Sequence, residues 1–176
     1  LNSAHGTAFL RKWGEGQWLV PGMCEADRWD PEKPIDWDSV RAVWLKQVEL
    51  LSELVGDIEL IIEKSPPNIV RMDGLRGIFP RSTMTAFNRN PYANCSSILH
   101  RYHDPKSKSA EERMVLVSKF ADEWLFRSRW IKKWIERWEI THFSYEEFCA
   151  IPSDCVSKLA VELPVLRTVD VGKKIR

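Results

Sequence analysis

The run STMTAFNRNP at residues 82–91 decides the fold. Ser82 to Phe87 carries no charge and contains two threonines and a phenylalanine, which reads as a short strand. Asn90-Pro91 then supplies a helix N-cap and a first helical residue whose φ is already fixed, so a helix runs from there to about Tyr102. A strand that feeds directly into a helix is the opening of a βαβ unit, and such units join parallel strands. Downstream, Ser109 with Glu112 forms a capping box that opens a long helix to about Trp138. Ile140 to Ser144 follows as a further strand, and Pro152-Ser153-Asp154 starts a helix through about Leu163.

Upstream the same rhythm holds. Ile58 to Ile62 is a short apolar run rich in β-branched residues, suited to a strand buried on both faces, and Pro66-Pro67 stops it. A short helix spans about Asn68 to Phe79, closed by Pro80. Before it, Val40, Val43, Trp44, Val48, Leu51, Leu54 and Val55 recur at helical spacing, with Gly56 placed as a C-cap. Residues 1–12 suit a helix, and the loop after them, punctuated by Gly14, Gly16, Pro21, Gly22, Pro31 and Pro34, reaches Asp36. The sum is an α/β fold with a mainly parallel sheet layered between helices, as one domain over residues 1–176.

The charges narrow the class. Among 176 residues, 26 Lys and Arg face 25 Asp and Glu, a net charge of +1, which argues against a non-specific nucleic-acid binder. The apolar runs, such as Leu60-Ile61-Ile62, are too short to span a bilayer, and no signal peptide opens the chain, so a cytoplasmic location is expected. Cys24, Cys95, Cys149 and Cys155 match no metal-binding spacing and read as free thiols. His100 and His103 share a helical spacing, but His103 falls where Asp104-Pro105 ends the helix, and no metal site is expected. The first residue is Leu1, which suggests a piece of a longer protein.

Two places lie beyond strand ends, where parallel α/β folds bind ligands. At the first, Arg89 sits between a strand end and a helix N-terminus whose free N–H groups favour a phosphate or sulfate, with Ser97 two turns along the same helix. The plainer alternative is that Arg89 pairs with a carboxylate and Ser97 is a packing residue. At the second, Glu63 and Lys64 stand side by side, able to act as base and electrostatic stabiliser, or to be an ordinary ion pair.

These residues resemble a sulfotransferase. Glu63-Lys64-Ser65-Pro66, then Arg89-Asn90-Pro91 with Ser97 eight residues after the arginine, is similar to the motif order of the family that uses 3′-phosphoadenosine 5′-phosphosulfate (PAPS). The segment Phe143-Ser144-Tyr145-Glu146-Glu147-Phe148 resembles the family's Tyr-Glu-Asp-Leu segment. The resemblance covers about residues 58–163 and implies a three-layer, P-loop NTPase-like sandwich. It implies that Arg89 and Ser97 bind the 3′-phosphate and that Tyr145 lies near the adenine. Glu63 would be the base that deprotonates a hydroxyl or amine of a carbohydrate or small-molecule acceptor, with Lys64 balancing charge near the sulfate. No metal is required.

The chain departs from that pattern at both ends. The family's Lys-[Ser/Thr]-Gly-Thr loop for the 5′-phosphosulfate is missing, with His5-Gly6-Thr7 a faint echo. The expectation is that this loop precedes Leu1. The late Gly-rich basic segment is not seen either, and Gly172-Lys173-Lys174 reads as a basic tail. The 5′ half of the cofactor site is therefore absent. A different nucleotide-dependent transferase, such as a kinase, would need Mg²⁺ ligands and a Walker lysine, and neither is found.

The helix over residues 110–138 is rich in tryptophan. Val117, Phe120, Ala121, Trp124, Ile131, Ile135 and Trp138 form its apolar stripe, widened by Trp130 and Trp134, as a core helix packed on the sheet requires. The other reading is a non-catalytic binding module in which Trp130 and Trp134 protrude to stack on a sugar or a partner helix.

Overall fold

A computed structural model of the chain describes residues 27–56, 58 and 60–168. The helix expected over residues 1–12, Cys24 and the basic tail at Gly172 lie outside the described residues. The chain divides into two compact units, Leu1–Ser82 and Thr83–Arg176.

In the first unit, helix α1 spans Trp37–Val55. The Asp36 carboxylate caps it, accepting from the backbone N–H of Ser39 at 3.0 Å and the Ser39 hydroxyl at 2.7 Å. Gly56 ends it at φ 81°, a left-handed value that glycine takes without a Cβ penalty, and donates its N–H to the Ser52 carbonyl. The buried face runs through Val40 and Gln47 with Trp44 between them, and the Trp44 ring packs on Phe79 at 4.6 Å between centroids. Val43 and Leu54, expected on the apolar stripe, are exposed instead.

Of the strand expected at Ile58–Ile62, none is seen among the described residues. Its described residues have no regular structure, and Ile62 is 76% exposed. A strand exists only through a ladder to a neighbour, and no strand of the described residues pairs with this run. The double proline instead opens a 3₁₀ turn over Pro66–Val70, and helix α2 covers Met72–Ile78. The expected single helix at 68–79 is thus broken at Arg71. The Arg71 guanidinium is buried and donates to the carbonyls of Arg28, Asp30 and Pro67. Gly74 of α2 lies against the Trp37 indole, where an added Cβ would meet ring atoms at about 2.0 Å.

The second unit begins with strand β1, Thr85–Asn88, followed by helix α3, Pro91–Tyr102, and helix α4, Ala110–Trp138. Ser109 and Glu112 form the expected capping box, and α4 ends at Glu139 in a left-handed conformation. Strand β2, Thr141–Ser144, then pairs parallel with β1 in the register Thr85↔Thr141 to Asn88↔Ser144. Helices α5, Tyr145–Ala150, and α6, Pro152–Glu162, complete the unit. The helix α5 was not expected. Ser144 starts it by accepting from the Glu147 N–H at 3.0 Å, so the Tyr145 segment is a strand end turned at once into a helix.

Cys95 and Leu99 of α3 pack on Phe120 of α4, flanked by Ile98, Leu116, Val117 and Ala121. Phe143 and Cys155 are fully buried, and Trp134 is 1% exposed. The described residues make a mixed α/β structure, mostly helical, whose sheet is a parallel pair. No helix among them is long and apolar enough to cross a membrane.

Candidate functional site

Parallel pairing puts the carboxyl ends of β1 and β2 side by side, so the residues that follow each strand start close together. Asn88 faces Ser144 in the last registered pair, and beyond it Arg89 meets Tyr145 and Asn90 meets Glu146, both of α5. Both pairs are in contact. The Arg89 guanidinium carbon lies 4.9 Å from the centre of the Tyr145 ring, a cation–π distance. The Asn90 N–H faces both oxygens of the Glu146 carboxylate, at 3.2 and 3.3 Å.

The Arg89 backbone is fixed from behind, because the Trp124 indole N–H of α4 donates to its carbonyl at 2.8 Å. Its side chain is 39% exposed, yet its Nε is buried and has no hydrogen-bond partner. Glu146 Oε1 lies 3.9 Å from that Nε, so Arg89 forms the ion pair with a carboxylate that the plainer reading of the sequence expects, at a distance too long for a hydrogen bond. The Asn90 side chain occupies the next two donors of α3, those of Tyr92 and Ala93, at 3.0 and 3.3 Å.

An orphaned guanidinium N–H beside a helix N-terminus fits an anion with more than one oxygen to offer. Ser97 is exposed on α3, away from the Cys95–Leu99 face that packs on α4. The Tyr145 phenol is held above its ordinary value, first by its hydrogen bond with Cys149, while the Arg89 charge opposes this. Arg89 and Tyr145 are thus brought together, and Ser97 shares the helix whose N-terminus they flank.

Glu63 and Lys64 belong to the first unit. The Glu63 carboxylate accepts from the Asn68 side-chain amide and from Ser65, which ties it to the 3₁₀ turn at Pro66–Val70. Burial pushes its carboxyl above the ordinary value despite those hydrogen bonds and the Lys64 charge. Lys64 itself is exposed. Among the described residues no group of three His, Cys, Asp or Glu comes together to hold a metal ion. His103 packs its ring on Phe120 at 5.4 Å, and of the described cysteines Cys95 and Cys155 are buried while Cys149 is exposed.

The Trp-rich helix is a core helix at Trp134, which does not protrude. Trp134 stacks on Trp138 at 4.7 Å and lies 5.5 Å from Trp130. Lys133 covers the Trp130 and Trp134 rings at 4.2 and 4.5 Å. These rings already carry the chain's own cation.

Sequence reasoning passed over Glu146 and Arg71, and placed Trp124 on the apolar stripe without its hydrogen bond to Arg89. Arg71 had a signal, a lone charge in the apolar run at 69–72. Glu146 had none beyond two acidic residues after Tyr145, which suit any helix start. No protein-family model, curated protein or solved structure matches this chain.

Proposed function

We propose that this chain carries the 3′-phosphate half of a PAPS site and serves in sulfuryl transfer to a hydroxyl or amine of a carbohydrate or small-molecule acceptor. The observation that carries the reading is Arg89 at the end of β1, beside the N-terminus of α3, with a buried Nε that lacks a hydrogen-bond partner and with the Tyr145 ring at 4.9 Å. A phosphate there would accept from Arg89 and from the Asn90 N–H, Ser97 would add a hydroxyl donor, and Tyr145 would offer its exposed ring to the adenine. PAPS, when bound, supplies the activated sulfuryl group. Glu63, whose burial raises its affinity for a proton, suits the base that takes the acceptor proton, and Lys64 suits a stabiliser of the sulfate charge.

The reading requires the β1–β2 pair to be part of a larger parallel sheet in a three-layer, P-loop NTPase-like sandwich. It also requires a 5′-phosphosulfate loop, and the chain has no Lys-[Ser/Thr]-Gly-Thr segment. Nucleotide binding, not turnover, is therefore the direct test. Calorimetric titration should show adenosine 3′,5′-bisphosphate binding well ahead of ADP. Arg89→Ala should lose about 1.5–3 kcal/mol of that binding, the usual loss for a hydrogen bond to a charged group. Equal binding of ADP and the bisphosphate, or an Arg89→Ala variant as tight as wild type, would sink the proposal.

A further inference from the structure

We infer that Glu146 is a built-in competitor for the anion that Arg89 and α3 receive, an inference that rests on the phosphate-site reading above. The residue stands where that anion would stand. Its carboxylate oxygens lie 3.2 and 3.3 Å from the Asn90 N–H and, at nearest, 3.9 Å from Arg89 Nε. It is the second residue of α5, the helix that opens directly after β2, whose end lies beside the end of β1. A carboxylate held on the neighbouring helix α5 is an anion at fixed high local concentration, so any incoming anion must displace it.

Three features mark the contact as a replaceable occupant rather than a structural lock. The Glu146 side chain is 47% exposed, so it can rotate into water without opening a cavity. It meets the Asn90 donor but leaves the buried Arg89 Nε without a hydrogen bond, so the stronger donor of the pair is still unused. And its neighbour Glu147 behaves differently: that carboxylate is held by Lys158 at 2.9 Å on α6 and caps nothing at α3. A phosphate monoester dianion brings three oxygens and two charges, enough to satisfy Arg89 Nε and the Asn90 N–H together. A single carboxylate at this spacing does not. The site is therefore closed to weak monoanions and opened by a phosphate dianion, with Glu146 swinging out as it enters.

The test is titration of wild type, Glu146→Gln and Glu147→Gln with adenosine 3′,5′-bisphosphate at low and high salt. Glutamine keeps an acceptor for the Asn90 N–H, so Glu146→Gln removes the charge alone. Binding to Glu146→Gln should be about two- to fivefold tighter than to wild type at low salt, the range expected of one partly exposed charge pair. The gain should shrink at high salt, where the Debye length falls to about 3 Å. Glu147→Gln should bind like wild type. If wild type binds and Glu146→Gln binds no more tightly, Glu146 is not a competitor, while the phosphate site stands. If neither protein binds the bisphosphate, the phosphate-site reading and this inference fall together.

Discussion

Glu63 shows how one side chain can set function against stability. Burial holds its carboxyl above the ordinary value of 4.5, against the Ser65 and Asn68 hydrogen bonds and the Lys64 charge. A carboxyl that keeps its proton more tightly in the folded state stabilises the fold while it is protonated. That contribution is whole below the unfolded pKa and is lost as pH rises through the raised folded one. Glu63→Gln has no proton to lose, so its melting temperature should exceed that of wild type at about pH 7, and the difference should fade toward about pH 4. A difference that grew on acidification would mean that the hydrogen bonds, not burial, dominate at this carboxylate. The same substitution would remove the proposed base, so a gain in stability with a loss of transfer is the signature expected of a residue kept for chemistry.

At the scale of elements, the local signals that name a helix terminus were reliable here, because caps depend on residues next to one another. Asn90-Pro91, Ser109 with Glu112, and Gly56 all lie where their side chains or lack of one predict. The Ile58–Ile62 strand was misread for the opposite reason. Its β-branched composition is local, but a strand needs a partner that composition does not supply. Helix α2 offers a test in which two chemically equal changes should have opposite signs. At Gly77 an added Cβ meets nothing, so Gly77→Ala should stabilise by about 0.5–1 kcal/mol through lost unfolded-state freedom and better helix propensity. At Gly74 the same methyl would fall about 2.0 Å from the Trp37 ring, and the indole must move. Gly74→Ala should cost about 1–3 kcal/mol net, as overpacking does. Denaturant midpoints of the two variants measure this directly. A Gly74→Ala protein as stable as Gly77→Ala would show that Trp37 does not rest on α2.

At the scale of the molecule, the chain divides at Ser82 and Thr83 into two compact units, and whether they unfold as one is a question of energetics. The sequence offers little warning, because the boundary falls at the start of the run read as a strand and has no Gly- or Pro-rich linker of its own. Glu63 and Lys64 belong to one unit and Arg89, Ser97 and Tyr145 to the other, so it matters whether the two unfold together. Phe143 can decide it. The ring is fully buried on β2, packs on Phe87 of β1 at 5.4 Å, and has the Lys158 ammonium of α6 5.6 Å from its centre. Phe143→Ala should cost about 3–5 kcal/mol, lost first by the elements that the ring joins. Hydrogen exchange followed by mass spectrometry reads where that loss goes, because amides exchange through the opening of their own cooperative unit. Two units that unfold separately should show exchange accelerated about a hundredfold or more across β1, β2 and α6, with α1 and α2 at wild-type rates. Acceleration spread evenly over α1 and α2 as well would mean that the chain unfolds as one. Strict separation would make the Arg89 site a property of the second unit by itself.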